Sequence, residues 1–478
     1  MEKRSLNGRK RVTMAGKTGY TKTEIFETMN VPKALSIIAL PTIVSQIIVL
    51  VYNIADTWFI GRTNNPYMVG ASSLVLTVFM ATAAIANLFG VGGGTLVVRL
   101  LGAKREDDAR KVASHTVLMA AVAALLFALL CLVFMDPILR FLGASENTYG
   151  YARQYFLIAV IVGAIPTVET MAMSMVLRNV GYSREAGFGV GMGGVLNILL
   201  DPLFMFVILP DGYQVLGAAI ATFISNIVSF VYFIVIFHKV RNETVLQIPR
   251  RYERLGKELA GSLYSVGVTA FIGVIVFDLV NVAINRLAVS HGDISLAAMG
   301  IVLKVERLPM NIGMGICLGM VPLVGYNYSA KNFDRMDRFF SAARLGVIIV
   351  TFACAVLFWI FAEPVVKAFI KDGETVSLGI KYLRGRCFSI PFMILGHHIS
   401  SFMQAVGKGK TSLLLCFIRH MVFCVPTLII MNSIFGINGL AWGQTIADIL
   451  AIIVSYAIYI PIHNRIVAGR DRGVQLTE

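Results

Sequence analysis

Long apolar runs separated by short polar segments dominate the chain, and each run is long enough to cross a bilayer as a helix, which takes about 20 residues. On that criterion the pattern predicts twelve spans, at 35–61, 69–98, 112–135, 155–177, 187–209, 215–237, 261–289, 295–325, 341–361, 386–405, 411–432 and 438–461. The first run follows a segment, 1–34, that carries eight Lys/Arg and no apolar stretch. A short signal-type hydrophobic region does not fit a first run of full spanning length, so a basic tail is the simpler reading.

The polar segments repeat. "GAKREDDARK" at 102–111 aligns without a gap with "SAKNFDRMDR" at 329–338. "GAAIATFISN" at 217–226 aligns with "GLAWGQTIAD" at 439–448, at a slightly shorter offset. Hydrophobic helices resemble one another by chance, but the shared Ala-Lys-x-x-Asp loop is polar. Six spans per half is an even number, which makes the halves parallel repeats about an axis along the membrane normal. The expected fold is an all-α polytopic membrane protein, with twelve transmembrane helices in two six-helix lobes related by that pseudo-two-fold. Its parts are a basic tail (1–34), an N-lobe (35–237), a linker (238–260), a C-lobe (261–461) and a second tail (462–478).

Composition agrees: 57% of the 478 residues are hydrophobic and 14% charged, against about a quarter charged in soluble domains. The net charge of +15 would point to nucleic acid in a soluble chain. Its distribution points elsewhere. With both termini inside, and Arg344 and Arg386 at span ends counted with the segments beside them, the inner segments hold thirty Lys/Arg, the outer segments eight, and the span interiors four (Arg286, Lys304, Arg307, Arg419). This is the positive-inside bias. It predicts a multi-pass protein of a bacterial cytoplasmic (inner) membrane with both termini cytoplasmic, touching lipid and not nucleic acid, and working as a monomer. The six cysteines lie in or beside apolar runs without CxxC spacing, as packing residues do.

Ionisable groups inside a membrane are costly and mark function unless they are paired. Asp56, Glu169 and Asp201 are the intramembrane acids of the first half. Asn197 and Asp201 stand four apart on one helix face, beside Pro202, which removes a backbone donor. Counting from the outer ends of their spans at 1.5 Å per residue, Asp56, Asp201 and Thr222 fall within a few ångströms of one level. Two carboxylates, an amide and a hydroxyl suit a hard cation, or a carboxylate pair that carries a proton. The plainer alternative is a helix-packing network.

In the second half Asp278, Lys304, Glu306 and Arg307 fall near mid-depth. They are expected to neutralise one another, the alternative being that Asp278 or Glu306 meets a cationic substrate. His397, His398 and Asp448 are weaker candidates. "GVGGGT" at 90–95 has no accompanying GK[ST] or βαβ unit and reads as close helix packing, not a phosphate loop. No nucleophile or metal constellation with recognisable spacing is present, so the chain is not expected to be an enzyme or to carry a cofactor.

The segments "NIADTWFIG", "GGGTLVVRLLGAK", "NILLDPLF", "GAAIAT" and "PLVGYNYSAKN", in this order and spacing, resemble the multidrug and toxic compound extrusion (MATE) transporters over almost the whole chain from about residue 30. The resemblance implies a secondary active antiporter with an alternating-access cycle, exporting cationic, amphipathic small molecules in exchange for Na⁺ or H⁺. The prokaryotic branch of DNA-damage-inducible type places its cation site at positions matched here by Asp56, Asn197, Asp201 and Thr222. Other branches place an acidic coupling residue near Asp278. Flippases of lipid-linked precursors share the two-bundle plan, and Lys304 and Arg307 keep that alternative open.

Overall fold

A bilayer offers the backbone no hydrogen-bonding partner, so the apolar runs satisfy their amides internally as helices. The computed structural model describes residues 22–248 and 254–468. The first tail before residue 22, part of the linker and the end of the second tail lie outside the described residues. The helices are α1 (Lys22–Glu27), α2 (Val31–Gly61), α3 (Pro66–Gly102), α4 (Glu106–Val133), α5 (Met135–Phe141), α6 (Glu146–Tyr155), α7 (Ala164–Asn179), α8 (Ser183–Leu203) and α9 (Gln214–Val240). The second half holds α10 (Lys257–Val289), α11 (Asp293–Ser329), α12 (Phe333–Ile360), α13 (Ala362–Lys367), α14 (Gly373–Arg386), α15 (Ser389–Ala405), α16 (Gly409–Phe417), α17 (Val425–Phe435) and α18 (Ile437–Val467).

Among the described residues ten helical segments are long and apolar enough to span alone, and the bent pair Glu146–Val162 and Ala164–Asn179 makes an eleventh. The remaining predicted span, 386–405, is divided between the end of α14 and the 17-residue α15. The two broken spans are the fourth of each half. In the first, the helix widens into a π-helical stretch at Phe156–Val162 and bends by 48° at Gly163. A Cβ on Gly163 would stand 2.6 Å from the carbonyl oxygen of Ala159, so glycine permits the bend. In the second, Pro391 lies in the first turn of α15, where its missing N–H costs little. The repeat is visible in the turns: Lys104 and Lys331, equivalent positions of the two aligned loops, both adopt left-handed backbone (φ 60° and 59°).

Among the described residues the two lobes share a core at one end. On the side that carries α1, one core is shared by both halves, with Ile38, Val98 and Val176 from the first and Leu263, Met320 and Phe340 from the second. Glycines bring the backbones together there. A Cβ on Gly92 of α3 would lie 2.6 Å from the Leu263 carbonyl oxygen of α10. One on Gly315 or Gly319 of α11 would lie within 2.8 Å of Ile43 or Ala39 of α2. Toward the other side the cores are separate, one containing Met68, Leu139 and Met205, the other Ile284, Met299 and Tyr382. The molecule is closed on the α1 side and parted by a cleft on the opposite side.

Helix α1 lies across the closed end. Ile25 and Phe26 are buried, and the Phe26 ring stacks on Tyr326 with centroids 4.9 Å apart. Glu27 Oε1 accepts from Lys104 Nζ of the N-lobe (2.8 Å) and from the Tyr326 hydroxyl of the C-lobe (2.6 Å). Arg335 donates to the carbonyls of Phe26 (2.7 Å) and Met29 (2.6 Å). One carboxylate therefore ties both lobes. Burial works against its ionisation, but the hydrogen bonds from Lys104 and Tyr326 prevail and hold Glu27 below the usual carboxylate range. Such a group stabilises closure above its ordinary pKa and loses that effect as pH falls through the lowered value. Glu27→Gln is expected to loosen this end. Spin labels at Lys111 and Arg338, in a background lacking the native cysteines, should report a longer and broader distance distribution; an unchanged distribution would show that Glu27 does not tie the lobes.

Candidate functional site

Three helices of the N-lobe are drawn together by glycines. A Cβ on Gly187 of α8 would stand 2.6 Å from the Pro41 carbonyl oxygen of α2, and one on Gly194 would stand 2.8 Å from Ile48 and 3.0 Å from Tyr52. Gly217 of α9 presses equally closely on the backbone of Phe204 and Met205, at 2.9 Å. Beyond Pro202, α8 widens into a π-helical stretch, Phe204–Ile208, of the kind found at functional sites.

This packing assembles Asp56 (α2), Asn197 and Asp201 (α8) and Thr222 (α9). Asn197 Nδ2 donates to Asp201 Oδ1 at 3.2 Å and to Thr222 Oγ1 at 3.3 Å. Asp201 is fully buried and Asn197 is 3% exposed. Asp56 Oδ1, Asn197 Oδ1 and Asp201 Oδ2 are buried without a hydrogen-bond partner. Asp56 and Asp201 lie within electrostatic range of each other, and neither pairs with a cationic side chain among the described residues. Buried carboxylates without a countercharge are tolerated only when protonated or when a cation supplies the missing charge. Three orphaned oxygens beside a hydroxyl fit a hard cation or a proton.

Two tyrosines not singled out from the sequence complete the group. Tyr155, buried at the end of α6, interacts with Thr222 and stands within electrostatic range of Asp56, Asp201 and Tyr52. Tyr52 is one turn before Asp56 on α2, a spacing that would have flagged it. Tyr155 sits near the start of a span, where tyrosines ordinarily mark the membrane interface. Glu169, 1% exposed, is on α7, which packs against α3 and α4; both of its carboxylate oxygens are also buried without a hydrogen-bond partner.

The C-lobe is built differently. Glu306 does not pair with Lys304 or Arg307. It receives both arms of Arg386 from α14, Nε at 2.9 Å and Nη2 at 3.0 Å. Two residues along a helix is about 200°, so Lys304 and Glu306 face opposite ways. Asp448 accepts from Arg419 Nε (2.8 Å), Ser389 Oγ (2.6 Å) and Gln444 Nε2 (3.0 Å). In the alignment of 217–226 with 439–448, Gln444 corresponds to Thr222 and Asp448 to Asn226. The region that is acidic and uncompensated in one lobe is neutralised by arginine in the other. Asp278 is within electrostatic range of Arg307, while Lys304 and Arg307 are exposed. His398 is buried against Phe340, bonded to its carbonyl oxygen at 3.1 Å, as a packing histidine is. His397, its neighbour on α15, is partly exposed. All six cysteines are free.

The MatE family model matches residues 41–203 and again 269–430, one stretch in each lobe. The chain belongs to the MatE family. This MatE protein is therefore a multi-pass membrane transporter and not an enzyme. It is 28% identical over 446 residues to the multidrug export protein MepA of Staphylococcus haemolyticus, covering 93% of this chain and 97% of that protein. It is also 28% identical over 443 residues to MepA of Staphylococcus aureus, covering 92% and 96%. Among solved structures it superposes on a multidrug resistance MATE family transporter in an outward-facing conformation (TM-score 0.88, 22% identity, 93% of this chain and 98% of that one). A MATE transporter in complex with MaL6 superposes with TM-score 0.87 at the same identity and coverage.

Proposed function

We propose that this MatE transporter is a multidrug efflux antiporter that exports cationic, amphipathic compounds in exchange for inward Na⁺ or H⁺. The observation that carries the reading is the N-lobe oxygen group: Asp201 and Asp56 supply charge, Asn197 and Thr222 complete the shell, and three of its oxygens are buried without a partner. The similarity to multidrug export proteins over 93% of the chain supports the substrate class. The positive-inside count supports placing the α1 side, with both termini, in the cytoplasm of a bacterial cell. The cleft then opens outward. The lobes are taken as 35–237 and 261–461, joined by 238–260, in a single copy of the chain.

Ion and drug are linked thermodynamically. If the ion binds the outward-open state more tightly and the drug the inward-open state, each lowers the apparent affinity for the other by the same factor, wherever the two sites lie. The test is ethidium efflux from a drug-sensitive host with external Na⁺ and pH varied separately. Efflux is expected to follow one of the two gradients. Efflux indifferent to both would refute antiport.

A further inference from the structure

The C-lobe turns charged side chains toward the cleft. On α11, Gly315 and Gly319 press against Ile43 and Ala39 of α2, which fixes the face of that helix turned toward the N-lobe. Eleven residues make three turns of α-helix, so Lys304 lies on the same line as Gly315, higher up, where the lobes have parted. The helix is continuous from Asp293 to Ser329, with Pro309 between the two positions; a proline bends a helix but leaves residues three turns apart on about the same side. The same spacing holds on α10. A Cβ on Gly267 would stand 2.1 Å from the Leu88 carbonyl oxygen of α3, and Asp278 is eleven residues further toward the open side. Lys304 and Asp278 thus face the cleft, and Arg307, exposed and within electrostatic range of Asp278, stands between their helices.

Lys304 is eleven residues, about 16 Å, from the start of α11, too deep for its stem to carry the ammonium to the membrane surface. Neither Lys304 nor Arg307 makes a salt bridge within 4.0 Å among the described residues, whereas Arg386 and Arg419 are each neutralised by a carboxylate inside the lobe. Two cations against one acid leave the C-lobe wall with a net positive charge. An intramembrane cation kept uncompensated is a functional group by default, and arginine and lysine side by side recognise oxyanions.

We propose that Lys304 and Arg307 form an oxyanion subsite on the C-lobe wall of the cleft, which receives the carboxylate of a zwitterionic amphiphile. This rests on the drug-export reading and assigns to Lys304 and Arg307 the recognition of cargo that also carries an acid. Purified protein in phosphatidylcholine nanodiscs is titrated with a rhodamine free acid and with its methyl ester, dyes that differ only in the carboxylate. Lys304→Gln and Arg307→Gln should weaken binding of the acid by about tenfold or more, the effect of one charge-assisted hydrogen bond, and leave the ester unchanged. Lys304→Arg should restore the acid. Equal losses for both dyes, or no loss for either, would overturn the proposal while leaving drug binding intact. If the variants instead lose only the binding of added phosphatidylglycerol, the subsite belongs to a lipid head group and the proposal is overturned in that direction. Failure of the wild type to bind either dye would remove the drug-export reading and this inference with it.

Discussion

Asp201→Asn is expected to abolish ion-coupled efflux while leaving the fold intact. The amide keeps the volume of a fully buried side chain but removes the negative charge, and a charge-assisted contact is worth about 1.5–3 kcal/mol. Ion affinity should fall by roughly ten- to a hundredfold. Stability should not fall, because the exchange removes repulsion between Asp201 and Asp56, which lie in electrostatic range without a cation between them. An apparent melting temperature equal to or above that of the wild type, together with lost efflux, is the predicted pair of results. A lower melting temperature with efflux retained would identify the N-lobe group as a packing network.

Arg386→Ala should give the opposite pattern, a large loss of stability. Arg386 is 3% exposed and its two hydrogen bonds satisfy Glu306. Removing it leaves a largely buried carboxylate, 13% exposed, unpaired, which costs up to about 3–5 kcal/mol. Replacing both partners by neutral groups, Glu306→Gln with Arg386→Met, should recover most of that loss, since a buried ion pair is worth little against well-packed neutral residues. Apparent melting temperatures of the two single variants and the double variant in detergent measure this directly. If Arg386→Ala unfolds at the wild-type temperature, the pair is not holding α11 against α14.

Much of this architecture was legible because the bilayer enforces it. An apolar run that must bury its amides becomes a helix, and a repeated polar loop reveals a repeated lobe; Lys104 and Lys331 share a left-handed turn that the aligned Ala-Lys-x-x-Asp segments already indicated. Asn197 and Asp201 were legible as a pair because four residues is one helical turn. Asp56 and Thr222 joined them through depth alone, since spans of known direction place residues at calculable levels. The partner of Glu306 was not legible, because Arg386 is 80 residues away and spacing speaks only for neighbours on one helix. The breaks at Gly163 and before Ser389 were hidden for a related reason: an apolar run looks the same whether its helix is straight or bent. The short helix α1 escaped notice because its burial depends on Tyr326 and Arg335, both far along the chain.

Ion-driven exchange can be measured most directly in proteoliposomes. Protein is reconstituted with ethidium enclosed, and its movement is followed as an Na⁺ gradient or a pH gradient is imposed in turn. One gradient, directed opposite to the dye, should drive ethidium across the membrane, and that drive should vanish with Asp201→Asn. Dye movement equally fast without either gradient, or undiminished in Asp201→Asn, would contradict the assignment of the N-lobe oxygen group as the coupling site.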